Sequence, residues 1–367
     1  MDNTNCVPTD TLIPDKIDDT VQCLKWYPSA NNICLASCGW DSTVRLWNVQ
    51  CSTSSNYYNN TTVTMQTKMI YSNTFQAPLL SLAWRNESSV LFTGDSEGSI
   101  HAIDISTAQT SVIGKHQAGC KELAWVDKNL NILLSAGWDG YLNFWDLRQQ
   151  NPVLSLNLGK KVFTMSLTYP LLVVGLDQRV INYFNLSKLT GSNFTKEAEF
   201  ESHLKYQTRC ICNFNEPNGY ALGSIEGRVA VKNLDLNKNP SIDLNNKTMN
   251  EPNDFAFRCH RSGNNNQDVY PVNAIAFNHV YGTFTTGGGD GCFFIWDKDS
   301  KSRLKQGFYT DKAPIVALDY AYNGDILAYA SGYDWSKGYN YNNTYPNQIG
   351  LHYLVEAEKK KKGKGVK

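Results

Sequence analysis

The chain lacks any run of eighteen apolar residues, so no segment reads as a membrane-spanning helix. Its start, Met1 to Asp10, is polar and acidic and does not read as a secretory signal. Stretches with the 3.6-residue period of an amphipathic helix are missing too. The motifs of common catalysts are absent: no Gly-x-Ser-x-Gly, no His-Glu-x-x-His, no Gly-x-x-x-x-Gly-Lys. The six histidines are dispersed, with none beside a nucleophile. Gly287-Gly288-Gly289 follows a strand but leads into another strand, so the helix N-terminus that would bind a phosphate is missing. The expectation is a protein that is not an enzyme, with no cofactor, no metal and no small-molecule substrate.

Disulfide spacing is also lacking. Ten cysteines are scattered over 367 residues, too long a chain to be stapled. Cys210 and Cys212 share a strand face and Cys259 adjoins His260, but no second pair offers zinc spacing. Buried free thiols in cytosol or nucleus are expected, which makes the sequons at Asn86, Asn193 and Asn246 chance matches. Net charge is zero, yet the tail Lys359 to Lys367 holds six lysines and no acid, so the body is mildly acidic. The tail reads as a solvated, disordered basic arm or as a nuclear-import or RNA-contacting one.

What is present is a repeat. Gly39-Trp40-Asp41-Ser42-Thr43-Val44-Arg45-Leu46-Trp47-Asn48 recurs as Gly137-Trp138-Asp139 through Trp145-Asp146 and as Gly289-Asp290-Gly291 through Trp296-Asp297. Weaker copies run from Glu97 to Asp104 and from Glu226 to Asn233. Each joins a glycine-acid turn to a strand ending in a bulky residue. The bulky positions are Trp47, Ile103, Trp145, Phe184, Lys232, Trp296 and about His352, spaced as four-stranded propeller blades with loop insertions. The expected fold is all-β: a seven-bladed WD-repeat β-propeller over 11–356, with Thr11 to Pro14 as the outer strand of the last blade. That closure removes a free sheet edge. Residues 1–10 are expected to be a flexible N-terminus and 357–367 a disordered basic tail. Asn-rich insertions at 50–62 and 236–254 are expected as disordered excursions on the bottom face. Gly338 to Asn347 interrupts a turn on the top face.

His116, Ser135, Asp139 and Trp145 fit a hydrogen-bonded set in which a histidine satisfies a buried acid. Asp41, Asp139 and Asp290 are therefore expected to be structural. Function moves to the residue before each acid: Trp40, Ser96, Trp138, Ile225, Gly289 and Tyr333. Trp40, Trp138 and Tyr333 on one face mark a partner site; the alternative is lateral packing against adjacent loops. Arg209, Arg228 and Arg261 project near the same rim. Guanidinium forks suit the carboxylates of an acidic peptide, and equally an RNA backbone.

Leu204-Lys205-Tyr206-Gln207-Thr208-Arg209-Cys210, Gly223-Ser224-Ile225-Glu226-Gly227-Arg228-Val229-Ala230 and Phe257-Arg258-Cys259-His260-Arg261 resemble the signatures of two related families. One comprises the WD-repeat mRNA export factors of the nuclear pore (Rae-one, or Gle-two, family), the other their spindle-checkpoint relatives. Trp296-Asp297-Lys298-Asp299, Asn323 to Ala330 and Tyr333-Asp334-Trp335-Ser336-Lys337-Gly338 favour the export family. Lys205 to Arg209 and Gly287 to Gly291 lean toward the checkpoint form.

The resemblance implies a groove for a GLEBS motif, a segment with paired glutamates, at Trp40, Arg209, Arg228 and Arg261. The motif would belong to a nucleoporin, with a role in poly(A)+ RNA export. In the checkpoint reading it would belong to checkpoint kinases, with tubulin-associated proteins as further partners. Phe257, Trp296, Lys298 and Lys301 match a patch that the export family uses near single-stranded nucleic acid, joined here by Lys359, Lys360, Lys361 and Lys362. Against this, Trp296 reads as a structural blade residue. The implied location is the nucleus and the nuclear pore at its envelope, with shuttling to the cytoplasm. A generic scaffold or a ubiquitin-ligase substrate receptor remains an alternative.

Overall fold

Seven antiparallel sheets form the ring in the computed structural model, which describes residues 10–29, 33–55, 61–127, 130–191, 194–236, 242–243, 248–249, 253–304, 308–309, 313–342 and 344–361. Blade one is Val21–Trp26, Cys34–Gly39, Thr43–Ser55 and Thr61–Thr74; blade three is Cys120–Val126, Ile132–Gly137, Tyr141–Trp145 and Leu154–Asn157. Blades two, four, five and six begin at Leu79, Val162, Thr208 and Val272. Blade seven takes Ile315–Tyr320, Ile326–Ser331 and Gln348–Tyr353 from the C-terminal end and Thr11–Leu12 from the N-terminal end, with Thr11 opposite Leu351. The expected fold and its closure are both present. At the closure Gly350 must be glycine, because a Cβ would sit 2.1 Å from Cζ of Tyr329.

The second strand of most blades is an unbroken apolar run buried on both faces, as in Leu171–Leu176. Its side chains fill the gaps between neighbouring blades. Leu134 and Phe144 of blade three pack with Val174 and Phe184 of blade four, and Phe194 wedges against both phenylalanines. Each such side chain, fully buried, contributes roughly 1.5–3 kcal/mol.

The glycine-acid turns hold the blades as expected where the full set is present. In blade three His116 Nδ1 lies 3.0 Å from Asp139, its Nε2 lies 2.7 Å from Ser135 Oγ, and Trp145 Nε1 donates to that same Oγ at 2.7 Å. Blade six repeats the set with His260, Thr286, Asp290 and Trp296. Asp41 instead pairs with Arg45 at 2.7 Å. In blade two the working acid is Asp95 rather than Glu97: it accepts from the Glu97 and Ser99 amides and faces His101.

The insertions differ from expectation. Residues 50–55 and 61–62, expected as a disordered excursion, continue the blade-one ladder as a ribbon paired out to Ser55 opposite Thr61. Thr and Val there favour extended backbone. Val49 and Met65 anchor the ribbon against Ile13 and Ile17. Within 236–254, Ile242–Asp243 pairs with Thr248–Met249, and much of the rest lies outside the described residues. The tail differs too. Glu356–Lys359 forms one helical turn with Glu358 and Lys359 buried, and residues 362–367, with Lys362, lie outside the described part.

Candidate peptide-docking face and nucleic-acid patch

One irregularity recurs in every blade. Near the start of each innermost strand the register slips by one residue, between Val21 and Cys23, Leu79 and Ser81, Cys120 and Glu122, Val162 and Thr164, Thr208 and Cys210, Val272 and Ala274, and Ile315 and Ala317. A bulge leaves its extra residue outside the ladder and re-aims the side chain. The seven bulge residues are Gln22, Leu80, Lys121, Phe163, Arg209, Asn273 and Val316. All but Leu80 line a cavity of about 580 Å³ at the mouth of the central channel.

The turns between second and third strands add Trp40, Trp138, Tyr333 and Trp335 to the same cavity. Trp40 Nε1 donates to Gln22 Oε1 at 3.2 Å. Trp138 lies over Gly119, where a Cβ would come within 2.6 Å of the indole. Trp335 has φ +61°, a conformation costly for a bulky residue. Its ring lies 6.3 Å from that of Trp40, 5.6 Å from Tyr333 and 6.4 Å from Tyr339, whose side chain is 79% exposed. Trp335 Nε1 is buried without a hydrogen-bond partner. A strained aromatic with an orphaned donor at a cavity mouth is a mark of a binding site.

Charge at the mouth is mainly positive: Lys25, Lys121, Lys161 and Arg209 face Glu122 and Asp334. Arg209 is exposed and reaches only the Asp334 carbonyl, at 3.5 Å. Asn273 donates to the Asp334 carboxylate at 3.4 Å. Lys25 is solvent-accessible through the channel yet ringed by protein, and the Asp319 carboxylate raises its pKa. Burial in turn raises the pKa of Asp319, which accepts from the Trp26 amide at 2.7 Å. Of the channel thiols, burial pushes Cys210 up to about 12 and Cys212 to about 11, so both stay protonated and unreactive.

The structure thus gathers Trp40, Trp138 and Arg209 at one mouth. Tyr333 lines the mouth but presents nothing: it is 2% exposed, its hydroxyl donating to the Gly338 carbonyl and accepting from the Lys337 amide. The expectation that it forms part of the exposed ring is corrected. Arg228 and Arg261 lie outside the cavity and wrap the loop at Glu226. Arg228 Nε is 3.6 Å from the Glu226 carboxylate, and Arg261 donates to the Glu226 carbonyl at 2.9 Å. Trp335 was quoted in the sequence only as part of a signature, and its left-handed backbone has no marker there. The bulge positions have none either, because a bulge shows only in the register.

A second surface lies along blades five and six. Phe257 and Trp296 are half-buried with ring centroids 4.5 Å apart. Lys298 sits 4.9 Å over Phe214, and Lys301 4.9 Å over Phe255. Trp296 is both a structural blade residue, donating to Thr286, and a wall of this patch. Lys361 reaches the patch through Asp299 at 2.6 Å, a carboxylate that also holds Lys298 at 2.7 Å. Lys360 turns back onto Glu356. Lys359, expected in a solvated arm, is instead 5% exposed, 2.7 Å from Asp325 and 4.9 Å over the Tyr353 ring. Among the described residues no group of three or more His, Cys, Asp or Glu side chains is placed to hold a metal.

Comparison with known proteins agrees with this geometry. The WD domain, G-beta repeat, matches residues 9–48 and 257–297. Over 97% of its length the chain is 37% identical to the Poly(A)+ RNA export protein of Schizosaccharomyces pombe, covering 93% of that protein. It is 36% identical to Protein Rae1 of Drosophila melanogaster, over 89% of this chain and 88% of that one. With the mRNA export factor rae-1 of Caenorhabditis elegans it shares 32%, over 95% and 90%. The solved RRP9 WD40 repeats superpose with a TM-score of 0.73 at 15% identity, covering 94% of this chain and 97% of that one, which speaks for the fold alone. The chain belongs to the Rae1 family of WD-repeat mRNA export factors.

Proposed function

We propose that this chain is a non-enzymatic adaptor in mRNA export that docks an extended acidic peptide across the mouth of its channel. The observation that carries the reading is the pairing of the orphaned Trp335 Nε1 with the loosely held Arg209 guanidinium beside the aromatics Trp40 and Trp138. Two unsatisfied donors in a half-enclosed aromatic mouth suit a carboxylate side chain on a partner segment. The paired glutamates of a GLEBS-type nucleoporin segment have that chemistry, which places the protein at the nuclear pore, shuttling between nucleus and cytoplasm. The relatives' names, with their references to poly(A)+ RNA and mRNA export, support the same pathway.

The patch around Phe257, Trp296, Lys298 and Lys301 is proposed as a contact for single-stranded RNA, by stacking on an aromatic face with cations alongside. Affinity purification from cells tests the whole reading. Co-purification of FG-repeat nucleoporins is the expected result; recovery of checkpoint kinases with no pore protein would overturn it in favour of the kinetochore alternative.

A further inference from the structure

His352 lies on the third strand of blade seven, fully buried, with a carboxylate at each ring nitrogen. Nδ1 is 2.7 Å from Asp10 Oδ1 and Nε2 is 3.1 Å from Glu358 Oε2. The three residues come from three segments: the N-terminal stretch, the blade and the C-terminal helical turn. An imidazole nitrogen holds a carboxylate only by donating, so both contacts together require the doubly protonated ring. Burial opposes that charge, but the hydrogen bonds to Asp10 and Glu358 outweigh it and raise the pKa of His352.

The surroundings offer little competition. Tyr329, on the second strand, donates its hydroxyl to Asp10 at 2.7 Å. Tyr320, on the inner strand, stays protonated because burial, and then Glu358, raises its pKa. From blade six, Phe293 places its ring 5.5 Å from the imidazole. Lys359, next to Glu358, is paired with Asp325. Glu358 also accepts from the Val355 amide at 3.0 Å, so its carboxylate fixes both ends of the turn.

Docking has a price in cations. Lys359 is neutralised by Asp325, and Lys361 by Asp299, the carboxylate that also ties down Lys298 of the aromatic patch. We infer that the segment Val355–Lys361 is a clasp shut by a proton held between His352 and Glu358, and that its opening regulates the patch; the second half rests on the nucleic-acid reading above. Loss of the proton leaves a bare Nε2 lone pair facing a buried carboxylate, which cannot stay there unpaired. The turn then releases, and Lys359 and Lys361 become available to phosphates. Affinity for RNA therefore rises as pH rises, the reverse of what proton loss does to a simple basic surface.

The test uses the full chain, followed by amide hydrogen exchange at Glu358, Lys359 and Lys360, whose N–H groups bond to Val355 and Glu356 carbonyls. Rates are corrected for their intrinsic pH dependence, and ring-core amides report that the propeller stays folded. The expected protection falls above the imidazole pKa, approaching about tenfold per pH unit for one proton. In parallel, fluorescence anisotropy with a short poly(A) oligonucleotide should show affinity rising about threefold, as two cations are freed.

In Glu358→Gln the amide can donate to a neutral Nε2, so the clasp stays shut and both profiles become flat. Protection independent of pH in the native chain, or an unchanged profile in E358Q, overturns the clasp. Falling protection with RNA bound at constant affinity overturns the regulation. Falling protection with no RNA bound at any pH supports the clasp and overturns the nucleic-acid reading alone.

Discussion

The rings of Trp40 and Trp335 meet 6.3 Å apart at an interplanar angle of 49°, joining the first turn of the chain to the last across the seam where the propeller closes. Trp335 is held there against its backbone preference, at φ +61°, with its indole N–H unpaired. Strain and an unmet donor both cost folding energy, so removing them should not harm the ring. Trp335→Ala is expected to weaken an acidic GLEBS-type peptide by about 30-fold or more, the size of an aromatic anchor's loss. Its melting temperature should stay within a few degrees of the native value. Titration calorimetry with a synthetic peptide reads the first quantity and a thermal scan the second; undiminished affinity would remove Trp335 from the site.

Arg209 carries the second donor and is a cleaner probe than its two companions. It is exposed, and its one printed bond, to the Asp334 carbonyl, is long at 3.5 Å. Charge reversal in Arg209→Glu places a carboxylate where the peptide's own carboxylate would sit. Binding should fall by roughly 100-fold or more, as for a like-charge clash in an interface, with folding intact. Arg228 and Arg261 instead support the loop at Glu226, so reversing either is expected to lower stability as well. Equal stability losses in all three variants, measured by chemical denaturation, would contradict this division.

Much of this was legible in the sequence because the repeat states its own grammar. Glycine-acid turns and bulky strand ends at Trp47, Trp145 and Trp296 gave the blades, and His116 with Asp139 gave the bond network. Erosion set the limit. Blade two moved its working acid from Glu97 to Asp95, and a six-residue strand tolerates that shift because both positions cap the same turn. The ring of bulge residues was invisible, since Arg209 and Lys121 look like ordinary strand residues until the register slips. Composition misled at the tail: Lys359 reads as solvated, yet Asp325 and Tyr353 enclose it.

The side patch should behave independently of the channel mouth. Lys298 and Lys301 each sit over a phenylalanine, positions that orient an ammonium toward an incoming phosphate. The double variant Lys298→Glu, Lys301→Glu is expected to weaken poly(A) binding and to reduce the slope of log affinity against log salt by about 1.4, for two contacts to a single strand. Peptide affinity at the mouth should not change. An unaltered salt slope would show that RNA, if bound, is held elsewhere.

Two buried histidines should pull stability in opposite directions along the pH axis. Burial lowers the pKa of His116 despite the adjacent Asp139, and its bonds suit the neutral ring: Nδ1–H donates to Asp139 while Nε2 accepts from Ser135. A depressed histidine binds its proton more readily when unfolded, so its contribution is present above about pH 6.5 and is lost as pH falls below that value. His352 is raised, so its contribution is present below about pH 6.5 and is lost as pH climbs through the folded pKa. Urea-unfolding free energy measured between about pH 5 and pH 9 should therefore decline on both sides of a plateau. Glu358→Gln should flatten the alkaline limb alone. His116→Asn, which removes the titrating ring, should lower the plateau and flatten the acid limb alone. Loss of both limbs in either variant would mean that the two histidines are coupled through the ring rather than acting at separate blades.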